Sequence, residues 1–336
     1  VRTLLAITRD TLQLLCRRRL FWLHLWMNLG VVLLYASVGF QENGWSAGFG
    51  LKITENAWVK AGSPWEHSMH CWMIARLMLW WVAGGGVFLA LFATAPVLPE
   101  SLEPGAAALL VPRARRRSLI MAGRFLGSLG YMLLHTVLVV AGLWVAVHVG
   151  MGTWHHTLWL AVPLAVLLYI PLQAVAMFMG VLTRSATAAL LVAILFAGSV
   201  WAIQESAAGP DPDSSSAAEE ENAEPQGSGF SEALTHEAVQ QAAAVLPRTR
   251  DSVLWLEREV CPQPQPAYGY RALFRRLRIG QGGISAVAAD AIASASAVPE
   301  KKPDHRLTIA PLLASSAAFT TAVLALGAWI LKRRDL

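Results

Sequence analysis

Apolar residues in this chain do not alternate with polar ones; they come in long unbroken runs. Six runs stand out, at residues 20–40, 72–97, 125–149, 158–182, 186–203 and 307–331. A bilayer hydrocarbon core of ~30 Å needs roughly 20 apolar residues in a helix. Each run therefore predicts one membrane-crossing helix. The second places Arg76 near its start, where a long side chain can reach the headgroups. Residues 1–19 read differently. Leu4, Leu5, Leu12 and Leu15 recur at helical spacing among charges, and Arg17, Arg18 and Arg19 abut the first run. That pattern predicts an interfacial helix on the cytoplasmic membrane surface rather than a signal peptide, which has one continuous apolar stretch.

Basic residues set the expected orientation, because short cytoplasmic flanks collect Lys and Arg. With the N-terminus inside, those flanks hold Arg2, Arg9, Arg17, Arg18, Arg19, Arg113, Arg115, Arg116, Arg117, Arg124, Arg184, Lys332, Arg333 and Arg334, while the short outer loops hold only Lys52 and Lys60. Trp45, Trp58, Trp65, Trp72, Trp154, Trp159 and Trp201 fall at the outer ends of the runs, the level amphipathic rings favour. The fold class expected is an all-α membrane protein with six transmembrane helices and both termini cytoplasmic. It has an N-terminal surface helix at 1–19 and five spans within 20–203. A cytoplasmic loop lies at 97–124. A partly ordered outer segment at 204–306 precedes the sixth span and tail at 307–336.

Composition sharpens this division. Of 336 residues, 55% are hydrophobic and only 15% charged, against about 25% charged in soluble domains. The segment 204–306 carries 10 Lys/Arg and 15 Asp/Glu, about half of all charges. The net charge of +5 is thus a gradient across a membrane and predicts no nucleic-acid surface. Within the outer segment, 207–229 is rich in Ser, Glu, Pro and Gly and is expected to stay disordered. Cys71 and Cys261 both fall on the expected outer side, where they stand either free or paired; Cys16 is cytoplasmic.

The chemical motifs are sparse. No Gly-rich loop followed by Lys-Ser/Thr is present, so any ATP must be bound by another chain. His236-Glu237 lacks the second His of a metalloprotease helix, since Gln240 stands there. His67, His70 and Cys71 at the outer face are weak metal candidates without a fixed fourth ligand. Inside the runs, His24, Asn28 and His135 are the polar residues of note, either functional groups or interhelical hydrogen-bond partners. Gly84-Gly85-Gly86 and Gly127-x-x-Gly130 predict close helix packing, and Pro163, Pro171 and Pro311 predict kinks.

The loop after the second run is the most informative. Pro99 and Pro104-Gly105 are expected to break the span. The stretch Leu102-Glu103-Pro104-Gly105-Ala106-Ala107-Ala108-Leu109-Leu110, then a basic stretch and Gly123-Arg124-Phe125-Leu126-Gly127, resembles the permeases of ABC-2 type transporters. Gly180-Val181-Leu182-Thr183-Arg184-Ser185 and Leu246-Pro247-Arg248-Thr249-Arg250-Asp251 are similar to that family as well, in particular to the six-span permeases of nitrous-oxide-reductase maturation. The chain departs from the pattern at Pro112-Arg113-Ala114-Arg115-Arg116-Arg117, where the Pro is displaced and the charge is dense. The resemblance implies a membrane subunit of an exporter in a bacterial inner membrane. It implies pairing with a second permease copy, identical or paralogous, and with a separate ATP-binding subunit. Glu100, Glu103, Gly105, Leu109, Leu110 and Arg113 would then form the ATPase-coupling element. No cofactor beyond the partner's ATP is expected. Two other classes remain open on the residues alone: a non-transporting membrane scaffold and a metal-handling maturation factor.

Overall fold

The computed structural model describes residues 2–42, 44–55, 70, 73–74, 77–102, 117–208, 246–247, 249, 252, 255, 259 and 309–333. Among these, six helices are long and apolar enough to cross a membrane: Arg19–Ala36, Trp80–Ser101, Ser118–Met151, His156–Thr183, Ala186–Gln204 and Leu313–Arg333. The chain is a mostly helical multi-pass membrane protein. The expected disordered stretch 207–229 falls almost wholly outside the described residues, so that expectation lies outside the structure.

The fourth span is the axis of the bundle. Buried residues make up 72% of its apolar window, against 17% for the first, fifth and sixth spans, which border the surroundings. Small and aromatic residues (Ala161, Ala165, Tyr169, Ala174 and Ala176) are fully enclosed along it. Pro171 lies in its interior, where the missing N–H leaves the carbonyl four residues earlier without its helical donor. Pro163 and Pro311 instead occupy the first turns of the helices Ala161–Thr183 and Ile309–Arg333. No internal hydrogen bond is lost there, so the kinks expected at these two positions do not follow.

The second span also differs from expectation. It runs to Ser101 rather than stopping near residue 97. The bend falls at Ala95–Pro96, and Pro99 sits early in the short helix Val97–Ser101, where a proline is tolerated. Val97 and Leu98 are buried against the bundle, which keeps the segment attached. Upstream, Met78–Gly85 forms a π-helical stretch before the α-helix Gly86–Thr94.

The third helix, Arg117–Met151, has 35 residues, about 52 Å at 1.5 Å per residue. It overshoots a ~30 Å hydrocarbon core, and its first turns seat the N-terminal helix Arg2–Cys16. Ile7, Thr11 and Leu15, spaced four apart, form the buried stripe of that helix. Ile7 and Thr11 lie over Gly123 and Gly127, and Leu12 lies over Gly130: a Cβ on Gly123 would stand 2.6 Å from Ile7 Cγ2, and one on Gly130 3.1 Å from Leu12. The first span continues along the same helix, with Val32 Cγ2 2.7 Å from a Cβ on Gly142. The expected surface helix is thus amphipathic, as its pattern required, with its inner face on protein and Leu5 on its exposed side.

A small sheet, unanticipated in an all-α reading, follows the first span. Strands β1 (Gly39–Gln41), β2 (Gly44–Ala47) and β3 (Lys52–Glu55) form an antiparallel meander. Its second turn passes through Gly48, Phe49 and Gly50, all at positive φ. A second core of Leu98, Leu102, Met121, Met177, Val181 and Leu331 closes the opposite, arginine-rich end of the bundle.

Candidate functional site

Among the described residues several polar clusters interrupt this apolar bundle, and two of them gather residues that the sequence singled out. The first lies between the first, second and third spans. His24 and Asn28, one helical turn apart, face His135 on the third helix, and all three are buried. The Trp81 indole N–H donates to Asn28 Oδ1 at 2.7 Å. An indole can only donate, so this contact fixes the amide orientation. Asn28 Nδ2 therefore donates, reaching the His135 carbonyl at 3.2 Å and His135 Nδ1 at 3.3 Å. With Nδ1 accepting, the His135 proton belongs on Nε2, which is buried without a partner among the described residues. His24 stacks on His135 with ring centroids 4.0 Å apart and planes 2° from parallel. Its Nδ1 lies 3.4 Å from the Tyr131 hydroxyl.

These groups do what polar side chains in an apolar medium must do, which is to satisfy one another. Parallel stacked imidazoles hold their nitrogens in separate planes, so the pair does not converge on a shared ion. Among the described residues no three His, Cys, Asp or Glu side chains are placed to hold a metal. Of the metal candidates, His67 and Cys71 lie outside the described residues. His70 is buried, with its Nδ1 2.9 Å from the Tyr35 hydroxyl and the Phe40 ring centroid 4.7 Å from its own.

The second cluster gathers charges at the arginine-rich end. Arg18, in the break between the N-terminal helix and the first span, pairs with Glu100 at the end of the second span. Arg124 on the third helix is buried; its Nη1 lies 3.3 Å from Asp10 and donates to the Thr11 hydroxyl at 3.2 Å. The glycines at 123 and 127 bring the N-terminal helix close enough for both contacts. Exposed ion pairs contribute little stability, but a buried guanidinium needs its partners. Nearby Cys16 is a free thiol, and burial pushes its pKa up.

Of the coupling residues, only Glu100 falls among the described ones; Glu103, Gly105, Leu109, Leu110 and Arg113 lie outside them. His24, Asn28 and His135 come together, although 107 residues separate Asn28 from His135. Reasoning on polar residues in apolar runs missed Trp81 and Tyr131, which complete that cluster. It also missed a further contact between the second and fourth spans. There the Thr94 and Tyr169 hydroxyls are 2.6 Å apart, and Gln173 Oε1 is 3.0 Å from Thr94. Thr94 and Gln173 carried the same signal as Asn28 and were legible on the same ground.

At the far end of the fifth span, Gln204 donates to the Pro247 carbonyl and accepts from the Thr249 hydroxyl at 3.1 Å. This anchors the start of the motif Leu246–Asp251 onto the bundle. No family model, curated protein or solved structure matches the chain.

Proposed function

We propose that this protein is the permease subunit of an ABC-2 type exporter, moving its substrate across a bacterial inner membrane with ATP hydrolysed by a separate subunit. The observation that carries the reading is the ordered motif series at 102–110, 123–127, 180–185 and 246–251, set on a chain with six membrane-spanning helices. The charge contacts at the arginine-rich end fit the same mechanism. Glu100, the first coupling residue, is held by Arg18 at the hinge of the N-terminal helix. That helix is in turn bound to the third span through Arg124 and Asp10. A push on the loop that begins at Glu103 would therefore reach the second span directly. It would reach the first and third through these pairs. Rocking of those helices against the central fourth span would switch access from one side of the membrane to the other.

ATP hydrolysis by the assembled complex in lipid vesicles tests this. The intact chain should stimulate the ATPase, and Glu103→Lys should insert normally yet leave hydrolysis at the level of the ATPase alone. Full stimulation by Glu103→Lys would remove the loop from coupling.

A further inference from the structure

Between the second, fourth and fifth spans lies a cavity of 590 Å³, within the range of small-molecule sites. Its wall on the second span runs from Trp80 to Phe88, nine residues whose eight steps cover at most about 12 Å along the helix axis. That is most of one leaflet of a ~30 Å hydrocarbon core. The lining is apolar almost throughout, with Thr249 the one hydroxyl among the described residues. Two backbone irregularities border it, the π-helical stretch Met78–Gly85 and Pro171 in the fourth span, and π-helical turns recur at functional sites.

The position of the cavity narrows its occupant. Trp80 and Trp201 line it and are themselves exposed, at 71% and 44%, so it is open to the surroundings of the bundle. Indoles favour the headgroup level, and both lie toward the end remote from the arginines. At that end Pro247 and Thr249, held by Gln204, also line it. Toward the other end the fifth span closes onto the bundle, with Ala193 and Ala189 fully buried. A spanning helix of a second chain needs a groove through the whole membrane, and this space occupies only part of that depth. An acyl chain entering from one leaflet needs no more than that depth and no polar partner along it.

We propose that the cavity is a binding site for one acyl chain of a membrane phospholipid, its headgroup at the level of Trp80 and Trp201. The site stands on the cavity alone and does not depend on the permease reading. A chain held there is bounded by the second, fourth and fifth spans, whereas lipid on the outer faces touches one helix at a time.

Two positions on the fifth span provide the test. Trp201 lines the cavity with an aromatic ring that a photoreactive ring can replace, and Gly198 lines it where a Cβ has nothing within 4 Å. A photoreactive Trp201→benzoylphenylalanine chain is placed in vesicles of phosphatidylethanolamine and phosphatidylglycerol, extracted into detergent, washed and irradiated. Leu195→benzoylphenylalanine is the control, on the same helix, 68% exposed and outside the lining. Phospholipid-mass adducts should form at 201 in excess over 195 on the order of tenfold, the ratio that about 1.4 kcal/mol of preference gives. Independently, Gly198→Leu puts a side chain into the cavity and should remove the phospholipid that otherwise stays with the full-length protein in native mass spectra. Equal adducts at the two positions, an adduct of two protein chains at 201, or retention of lipid by Gly198→Leu would each overturn the proposal.

Discussion

At the scale of single residues, Asn28 holds the intramembrane cluster together, because it is the one group that bonds both the second and the third spans. Asn28→Ala leaves the Trp81 N–H and the His135 ring without their partner. We expect a loss of about 1–2 kcal/mol, as interhelical hydrogen bonds in membranes allow, measured by thermal unfolding in detergent. Trp81→Phe should cost less, and the double variant should cost less than the two separately, since both remove one bond. Cys16 gives a pH test. Its raised pKa means less thiolate near neutral pH than an ordinary cysteine has. In a Cys71→Ser, Cys261→Ser background, maleimide labelling of Cys16 should therefore lag behind a free thiol at pH 7 and climb as the pH rises. Labelling at the rate of a free thiol at pH 7 would contradict the half-buried setting.

At the scale of elements, the groove of Gly123, Gly127 and Gly130 decides where the N-terminal helix sits. Gly123→Val puts a branched side chain into the space of Ile7. Overpacking of this kind costs about 1–3 kcal/mol. We expect the helix to lift, exposing residues 2–16 to added protease while the spans remain folded. Ile7→Ala in the same chain should restore part of the protection. Unchanged protection in Gly123→Val would mean that the helix does not depend on this contact. The sequence pattern foretold the helix, and it foretold close packing at Gly127 and Gly130. Of the leucines it rested on, Leu15 is buried and Leu5 exposed, and the buried stripe runs through Ile7, Thr11 and Leu15 instead. The pattern did not name the partner, because periodicity records that a face is buried and not against what. Gly84 and Gly85 illustrate the same limit: glycines read as a packing surface line a cavity instead. The π-helical stretch and the three-stranded sheet left no signature, since each depends on local geometry rather than on hydrophobic periodicity.

At the scale of the whole molecule, the number and order of the six spans were legible, because a membrane demands ~20 apolar residues whatever the tertiary contacts. The fourth and fifth spans agree with expectation within two residues at each end, whereas the third begins earlier, at Ser118. One error fell where proline was read as a stop: the second span passes Pro99 to Ser101 because buried Val97 and Leu98 hold it. Asn28 and His135 were each legible as polar intrusions, but their meeting required the packing of the first span on the third. The basic residues at one end predict the orientation, with the arginine-rich end in the cytoplasm. Single cysteines at Ser185 and at Thr153, in a background without native cysteines, should react with an impermeant maleimide in intact cells only at 153. Labelling at 185 instead would invert the topology.

The central claim, that the chain works with an ATP-binding partner, is tested most directly by purifying it from its native membrane in mild detergent and quantifying what accompanies it. The account predicts a Walker-motif ATPase in stoichiometric amount, lost when residues 103–113 are replaced by a Gly/Ser linker. Recovery of the intact, folded protein consistently without any ATPase would contradict it.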